Sequence, residues 1–394
     1  MFKRTFSALF IVIMLQLVIN AQPVSIKKIA EDNLNFAVKQ YSQMLINLDT
    51  AKRFPRTVNE DGTLNLVSSN DWTSGFFPGG LWYLYEFTKN KVWEKNAELY
   101  TGRLSKEQYN TKTHDVGFII NDSYGNGYRL IDTKEYKEVI IQAAKSLSKR
   151  FRPVVGCIQS WGSNSKWECP VIIDNMMNLE LLFNATKLSG DSGFYKIAVT
   201  HANTTMKNHF RPDYSSYHVV NYDTLTGKVL AKNTHQGYSD ESAWARGQAW
   251  GLYGFTMSYR ETKDKAYLEQ AEHIADFILK NRNLPKDFIP YWDFDAPNIP
   301  NEPRDASAAA IICSALYELS TYTKDEGNKY KEAADKILRS LSSPEYRAEI
   351  NGNNYFILKH CVGNKPANSE IDVPLIYADY YFIEANLRCL NYKK

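Results

Sequence analysis

The 394-residue chain lacks three features that would assign it quickly to a class. Its five cysteines form no CxxC pair or Cys/His cluster, so the spacing of a zinc site is missing, although Cys157 and Cys169 could form a disulfide across a tryptophan-containing loop. Lysine and arginine total 47 against 44 acidic residues, without the basic excess typical of a nucleic-acid binder. Beyond the N-terminal region, no apolar run approaches the roughly 18 residues that a membrane-spanning helix needs.

Aromatic side chains, by contrast, are abundant: 8 Trp, 26 Tyr and 19 Phe make up 13% of the chain. With 44% hydrophobic and 23% charged residues, the composition is that of a folded protein and excludes disorder for most of the chain. We expect most of these rings, among them Tyr377, Tyr380 and Tyr381, to fill a core and a few to wall a cleft.

Residues 1–21 have the pattern of a secretory signal peptide. A positive region at Lys3 and Arg4 precedes an apolar stretch, and Ala21 is a small residue suited to a cleavage point. An N-terminal membrane anchor is the alternative, but no cysteine follows the apolar stretch to carry a lipid. We therefore expect a secreted chain without a membrane anchor, periplasmic in a Gram-negative bacterium, with residues 22–394 forming one domain.

The apolar periodicity of residues 22–394 is mostly helical. The predicted helices lie at about 26–48, 78–89, 91–107, 114–123, 134–150, 172–188, 191–209, 242–260, 264–281, 304–322, 326–342 and 373–389. Such antiparallel pairs within one domain predict an all-α fold, the (α/α)6 toroid. An α-solenoid is the alternative, but its fixed-period repeat is not evident. Residues 218–232 contain two short β-type runs around a turn and predict a hairpin insertion.

Alternate helices also differ in the way a toroid requires. Helices 242–260 and 304–322 are small and apolar on nearly all faces, as inner helices must be. Helices 264–281 and 326–342 carry lysine and acidic residues on one face, as outer helices should.

Three polar segments supply candidate site residues near predicted helix starts. Trp72 lies in a glycine-rich loop, where it could stack on a sugar ring or belong to the core. His114 and Asp115 open an apolar helix, where the carboxylate could be only a cap. Asp174 interrupts an apolar run. A buried ionised aspartate is costly without a partner, so Asp174 is either a cap or a carboxylic acid with a raised pKa, as in general acids.

A fourth segment pairs a cation with an aromatic ring. Arg246 and Trp250 are four residues apart and therefore lie one turn apart on the same helix face. Arg246 needs an anionic partner, either a protein carboxylate or a substrate carboxylate, and Trp250 offers a stacking surface. His218, His235 and Gln236 are further candidate polar contacts. Together the four segments indicate acid–base chemistry on an anionic sugar.

These segments resemble the unsaturated glucuronyl hydrolases, glycoside hydrolase family 88, from about residue 55 to 388. The resemblance is carried by NDWTSGFFPGG (70–80), HDVGF (114–118), IIDNMMN (172–178), SAWARGQAW (242–250), RDASAAA (304–310) and YADYYFIEA (377–385). It implies an exo-acting enzyme that removes a 4,5-unsaturated uronic acid from the non-reducing end of lyase-generated oligosaccharides. Such enzymes hydrate the C4=C5 double bond, and the resulting hemiketal opens and releases the aglycone.

The resemblance also implies roles for individual residues. Asp174 matches the general acid and base, and Asp115 matches a second aspartate that holds the sugar hydroxyls. The sugar-binding positions of the family match Arg246, Trp250, Trp72, His218, Gln236, His114 and Trp161. Trp161 is matched only by its distance before Asp174. The resemblance implies no metal and no organic cofactor.

Other interpretations remain open from the sequence. An unsaturated rhamnogalacturonyl or ulvan-type hydrolase, or another (α/α)6 glycosidase, could use the same two aspartates. A non-catalytic glycan-binding relative would usually have lost one of them. Asp287, Asp293, Asp295 and Asp305 could form a calcium cluster, or they could be loop acids and a helix cap.

The loop before the last helix bears on the substrate. Some family members that accept sulfated chondroitin fragments have a Ser…Ser…Lys pattern in this loop. Here Ser369 is present, but Glu370 and Asp372 are acidic and Lys365 is the only nearby cation. We therefore do not expect tight sulfate binding at this loop.

Overall fold

The computed structural model describes residues 24–48, 53–323 and 327–392, so the predicted signal peptide at 1–21 lies outside the described residues. Within them, no helix is long and apolar enough to cross a membrane. The helices are α1 (Ile26–Asn47), α2 (Phe76–Thr88), α3 (Lys91–Gly102), α4 (Val116–Ile120), α5 (Asn126–Ile131), α6 (Lys134–Ser148), α7 (Asn175–Ser189), α8 (Ser192–Asn208), α9 (Ala245–Thr262), α10 (Lys265–Lys280), α11 (Ala306–Leu319), α12 (Gly327–Leu341) and α13 (Ile376–Asn391). A π-helical segment, Asn121–Gly125, joins α4 to α5.

The strands are short and lie between the helices. They are β1 (Phe54–Val58), β2 (Leu64–Val67), β3 (Phe151–Arg152), β4 (Cys157–Ile158), β5 (Cys169–Ile172), β6 (Val219–Tyr222), β7 (Val229–Asn233), β8 (Cys361–Asn364) and β9 (Ser369–Val373). All of the pairings are antiparallel: β1 with β2, β3 with β4, β8 with β9, and β5–β6–β7 as a three-stranded sheet.

Alternate helices close into an inner ring. The helices α2, α4–α5, α7, α9, α11 and α13 contact one another in that order, and α13 returns to α2. Nearly every residue of α11 is buried, whereas α10 and α12 bury one apolar face and expose charged residues on the other. The predicted (α/α)6 toroid is therefore confirmed, with residues 242–260 and 304–322 in the inner ring.

The inner helices all run in the same direction. Residues at or just before the starts of α2, α4, α7, α9 and α13 line one pocket, and residues in their later turns line a second cavity. An outer helix carries the chain back between two successive inner helices. Loop residues before the inner helices are thus brought together at one end of the ring.

The β-hairpin predicted at 218–232 is present as β6 and β7, and β5 extends it to three strands. The helix predicted from residue 172 begins only at Asn175, because Cys169–Ile172 pairs with β6 instead. The hairpins β1–β2 and β8–β9 were not predicted. In β9, Glu370 and Asp372 have positive φ angles of 55° and 58°, which disrupts the alternation that marks a strand.

All five cysteines are free thiols and buried. Cys157 and Cys169 pack in one small cluster with Val171, Val220 and Tyr222, so the disulfide considered from the sequence is not formed. These residues fill space between β4 and the three-stranded sheet as small apolar groups.

Candidate active site

A pocket of about 320 Å³ opens at the N-terminal end of the inner ring. It is walled by seven of the nine predicted site residues and by the hairpins that cover this end of the ring. The residues lining it are Arg56, Trp72, His114, Asp115, Phe118, Trp161, Ile172, Asp174, His235, Gln236, Arg246, Gly363, Asn364, Ala367, Ser369, Glu370 and Tyr377. Its volume is at the small end of the range for ligand pockets and suits a single sugar ring better than a long polymer.

Close packing of two helix starts brings the two aspartates into this pocket. A Cβ atom on Gly117 would lie 2.5 Å from Cα of Asn178, so only glycine permits α4 and α7 to approach this closely. The side chain of Asn178 accepts a hydrogen bond from the Phe118 N–H at 2.9 Å and fixes the contact. Asp115 precedes α4 and Asp174 precedes α7, so both carboxylates face the same space.

Asp174 occupies the N-cap position of α7, but its side chain makes no capping hydrogen bond. The capping interpretation is therefore wrong for this residue. The side chain is 14% exposed, and its Oδ2 atom is buried without a hydrogen-bond partner. Burial and, to a smaller extent, the charge of Asp115 raise the pKa of Asp174 to about 7, against the opposing effects of Arg246 and of a hydrogen bond from Trp250.

His218 faces Asp174 as a neutral imidazole with a defined tautomer. Its Nδ1 atom accepts hydrogen bonds from the backbone N–H groups of His235 and Gln236, each at 3.1 Å, so its proton is on Nε2. The Nε2 atom is 3.7 Å from Oδ2 of Asp174, which is longer than a hydrogen bond. Burial, followed by the charge of His235, holds the pKa of His218 well below its usual value, which keeps the ring neutral beside Asp174.

Asp115 is held by the Thr113 hydroxyl instead of capping its helix, and it lies beside His114. Its Oδ2 accepts a hydrogen bond from the Thr113 hydroxyl at 2.7 Å, and its Oδ1 lies 3.2 Å from Nε2 of His114. His114 is 1% exposed and donates from Nδ1 to the Ser160 carbonyl at 3.0 Å. Burial lowers the pKa of His114, although Asp115 opposes the shift. A neutral His114 turns the lone pair of its buried Nε2 atom toward Asp115, so His114 affects the pocket through Asp115 and not by direct contact with a sugar.

Arg246 finds the anionic partner that the sequence required. It is 1% exposed, and its Nη1 atom lies 3.1 Å from Oδ2 of Asp305. The two Nη atoms also donate to the carbonyls of Val362 and Gly363. The Nε atom is buried without a partner, while the residue as a whole lines the pocket and places a positive charge at its wall. Asp305 itself caps α11 by accepting from the Ser307 N–H at 3.0 Å.

The predicted aromatic residues divide into two groups. Trp72 lines the pocket and packs edge-on against Phe76 and Phe118, as a wall residue should. Trp161 also lines the pocket and lies against Trp167 at 5.3 Å. Trp250 does not line it: the residue is fully buried, so the prediction of a stacking surface is corrected. Its contribution is a hydrogen bond toward Asp174.

Gln236 and His218 support the pocket in different ways. Gln236 lines it and donates from Nε2 to the Gly363 carbonyl at 3.0 Å, whereas His218 lies behind Asp174 with its side chain fully buried. His218 is therefore placed to act on Asp174 more directly than on a sugar. Its predicted role as a binding residue is modified accordingly.

The sequence interpretation missed several residues that line the pocket. Arg56 and Glu370 form a bidentate ion pair between β1 and β9, and the buried hydroxyl of Tyr377 has no partner. Tyr377 was expected to be a core residue. That expectation is confirmed, since Tyr377 is fully buried, but from the first turn of α13 it also lines the pocket. The sequence contained no local signal for Arg56, whose partner is 314 residues away.

Comparison with known proteins agrees with this geometry. The family model described as Glycosyl Hydrolase Family 88 matches residues 46–393. An unsaturated glucuronyl hydrolase from Formosa agariphila is 50% identical over 363 residues, covering 90% of each chain. A crystal structure of an unsaturated glucuronyl hydrolase specific for heparin is 52% identical, with a TM-score of 0.90, covering 92% of this chain and 97% of the other.

A more distant neighbour was solved with a ligand. It is an unsaturated glucuronyl hydrolase mutant from Streptococcus agalactiae complexed with dGlcA-GalNAc6S, 28% identical, with a TM-score of 0.78, covering 95% of this chain and 94% of the other. A toroid of paired helices whose open end holds two carboxylates and a buried arginine defines a glycoside hydrolase. The chain belongs to glycosyl hydrolase family 88, the family of the unsaturated glucuronyl hydrolases.

Proposed function

We propose that Asp174 is the general acid and base that hydrates the C4=C5 double bond of a terminal 4,5-unsaturated uronic acid. The observation that carries the proposal is the pKa of Asp174, which burial raises to about 7 in a pocket of one-sugar size. A carboxylic acid with that pKa is partly protonated at neutral pH and can both give and take a proton.

The chemistry balances around this single group. The protonated carboxyl of Asp174 gives its proton to C4, the electron pair of the double bond forms the new C4–H bond, and positive charge develops at C5. The ring oxygen stabilises that charge. The carboxylate left on Asp174 then takes a proton from a water molecule, and the oxygen of that water bonds to C5. The product is a hemiketal at C5, whose ring opens and releases the aglycone.

The remaining pocket residues bind and orient the sugar. Arg246 lies at the pocket wall and attracts the uronate carboxylate by its positive charge, and Asp115 accepts hydrogen bonds from the ring hydroxyls. Trp72 and Trp161 provide apolar walls on which sugar faces pack. Neutral His218 directs its Nε2–H toward Asp174 and stabilises the carboxylate form after proton transfer.

The variant Asp174→Asn tests the proposal. We expect turnover of an unsaturated disaccharide, followed by loss of its ultraviolet absorbance, to fall by about 10²–10⁴-fold, because a positioned acid–base group contributes that much. Circular dichroism should show an unchanged fold. The matched control is Asn175→Asp combined with Asp174→Asn, which restores a carboxylate one residue out of place and should stay inactive. Near-normal turnover by Asp174→Asn would overturn the assignment.

We further propose that the aglycone comes from a heparin-type glycosaminoglycan with no sulfate bound at the β8–β9 hairpin. The solved neighbour specific for heparin supports the substrate class through its 52% identity. The contacts of the β8–β9 hairpin support the proposal that no sulfate binds there. Lys365 lies 4.0 Å from Glu302 and packs over the Trp292 ring, and Arg56 is neutralised by Glu370 and Asp71, so neither cation is left for a sulfate there.

A panel of lyase-generated disaccharides tests the substrate proposal. We expect kcat/KM to be highest for heparin-type disaccharides without 6-sulfate and lower for 6-sulfated chondroitin disaccharides. Equal rates on all of them would remove the aglycone preference but leave the hydration chemistry intact. No turnover of any unsaturated uronide would overturn the function itself.

For localisation, we propose export of residues 22–394, as one domain, to the periplasm of a Gram-negative bacterium. The pattern of residues 1–21 supports this proposal. Expression of the full chain in such a host, followed by osmotic-shock fractionation and N-terminal sequencing, tests it. The expected product begins at or near Gln22 in the periplasmic fraction, whereas a chain retained with its N-terminus in the membrane fraction would contradict it.

A further inference from the structure

A second cavity, of about 740 Å³, lies at the other end of the inner ring from the catalytic pocket. Its walls come from the later turns of α2, α7, α9 and α13, from α5 and from the π-helical segment Asn121–Gly125. None of the residues assigned above to catalysis or sugar binding lines it. Because the volume is more than twice that of the catalytic pocket, the cavity has room for an organic molecule.

The charged groups around this cavity are paired, with one exception. Four acids each have a basic partner within ion-pair distance, namely Glu86 with Arg129, Glu180 with Arg260, Glu261 with Lys187 and Glu384 with Arg388. Asp122 also lines the cavity, but it forms no ion pair with any described residue, and its Oδ2 atom has no hydrogen-bond partner.

Asp122 is a buried acceptor that the protein leaves unsatisfied. It is 8% exposed, and although the nearby Tyr380 hydroxyl lowers its pKa, its Oδ2 atom accepts no hydrogen bond from any described residue. Burial raises the pKa of Asp122 well above its usual value, and the charges of Glu180 and Glu384 raise it further. An unsatisfied buried carboxyl is costly, so a ligand that supplies a donor would relieve the cost.

The backbone conformation around Asp122 is a second indication of a functional site. Asp122 lies in the π-helical segment that interrupts the inner helix between Ile120 and Asn126. Such segments insert an extra residue into a helix and occur frequently at functional sites. Here the segment displaces Asp122 from the regular helical register and places it on the cavity wall.

The field at this end of the ring favours a cation. The inner helices run in the same direction, so the partial negative charges of their last carbonyl groups converge near the cavity. The rings of Tyr83, Tyr253, Tyr380 and Tyr381 also line it, and the Tyr253 ring already attracts one cation, with Cζ of Arg388 at 5.0 Å from its centre. Among the described residues, no group of three or more His, Cys, Asp or Glu side chains is arranged to hold a metal ion.

We propose that this cavity binds a small organic cation with a primary ammonium group, for which the carboxylate of Asp122 is the counterion. The proton that burial favours on Asp122 before binding is released to solvent as the ammonium group binds. The ammonium group donates one hydrogen bond to Asp122 and others to the hydroxyl and amide oxygens around it. The site is distinct from the catalytic pocket, and its occupancy does not depend on the hydrolase chemistry.

Calorimetric titration of the full chain with 4-aminobutan-1-ol tests the proposal. Butane-1,4-diol is the matched probe, since it has the same length but carries a hydroxyl in place of the ammonium group. We expect the amine to bind and the diol not to bind. The variant Asp122→Asn should weaken amine binding by at least about tenfold, because a charge-assisted hydrogen bond is lost.

Two controls keep the test decisive. Glu86→Gln changes an acid at the same cavity that is already paired with Arg129, so it should leave amine binding nearly unchanged. The variant Asp122→Asn should retain hydrolase activity, which reports an intact fold. Equal binding of amine and diol, no binding of either, or unchanged binding by Asp122→Asn would overturn the proposal. If that variant does not fold, a wild-type crystal soaked in the amine must show it at Asp122, and an empty cavity would equally overturn it.

Discussion

Arg56 and Glu370 are joined by two parallel hydrogen bonds, from Nε to Oε1 at 2.6 Å and from Nη2 to Oε2 at 2.9 Å. The pair connects β1 to β9 across the pocket mouth, and Nη1 of Arg56 also donates to Asp71 at 2.9 Å. The guanidinium group is 23% exposed, so the geometry of this bidentate pair contributes more than a typical surface ion pair. Arg56 therefore holds a wall of the pocket in place.

Loss of this ion pair should change substrate binding more than chemistry. For Arg56→Met, we expect the free energy of unfolding to fall by about 1–3 kcal/mol, because Glu370 and Asp71 are left partly buried without a partner. KM should rise while kcat changes little. Denaturant unfolding and steady-state kinetics measure both effects. Arg129→Met is the control, since its pair with Glu86 is exposed and remote from the pocket. The same change in KM in both variants would contradict this role.

The pH dependence should report the protonation of Asp174. Because its pKa is about 7, the proton-donating form is lost as the pH rises through that value, and kcat/KM should fall on the alkaline side. The charge of Asp115 raises this pKa, so the residual activity of Asp115→Asn should have its alkaline limb at lower pH. Initial rates over a pH series, with circular dichroism at each pH, measure the shift. A limb that moves to higher pH would show that Asp115 does not act on Asp174 in this way.

Two substitutions of His218 separate its two ring nitrogens. In His218→Asn, the side-chain oxygen can replace Nδ1 as the acceptor for the loop N–H groups, but nothing replaces the Nε2–H that faces Asp174. We expect kcat to fall by about tenfold or more with little change in Tm. In His218→Gln, an N–H group can reach the Nε2 position, but the loop loses its acceptor. We expect a lower Tm and a higher KM with more of kcat retained. Indistinguishable variants would reject a separate function for each nitrogen.

Trp72 and Trp250 should give opposite kinetic signatures. Trp72 lines the pocket, so Trp72→Leu should raise KM severalfold with a smaller effect on kcat. Trp250 is buried and its hydrogen bond lowers the pKa of Asp174, so Trp250→Phe should move the alkaline limb to higher pH and leave KM nearly unchanged. Steady-state rates at several pH values distinguish the two. A large KM effect in Trp250→Phe would restore the stacking surface first expected from the sequence.

Local sequence patterns were sufficient to predict the helices and the general acid, Asp174. Period and turn chemistry placed α9 and α10 within a few residues of their observed bounds, and a lone carboxylate in an apolar run identified Asp174. In both cases, the residues that determine the helix bounds or the burial of the carboxylate lie within about one helix length of sequence. The alternation of apolar and charged faces likewise identified inner and outer helices.

Long-range contacts explain what the sequence could not provide. The partner of Arg246 is Asp305, 59 residues further along the chain, and no local pattern links them. Trp250 was placed on the same helix face as Arg246, which lines the pocket, but one turn further along the helix it lies beneath the pocket and is fully buried. The hairpin β8–β9 escaped prediction because its positive-φ residues are held by pairing across the hairpin and by Arg56, not by local propensity.

Both ends of the described chain are attached to the same outer helix. The Nη1 atom of Arg339 donates to the carbonyl of Val24 at 3.0 Å, and Nζ of Lys331 lies 5.5 Å from the Tyr392 ring centre. The two attachment points are eight residues apart on α12, or about 12 Å at the rise of an α-helix. A short linker could join these ends, and new ones could be opened at the exposed turn Ser189–Gly190. The ring should therefore tolerate circular permutation, because a permuted chain keeps the cyclic order in which its helices pack.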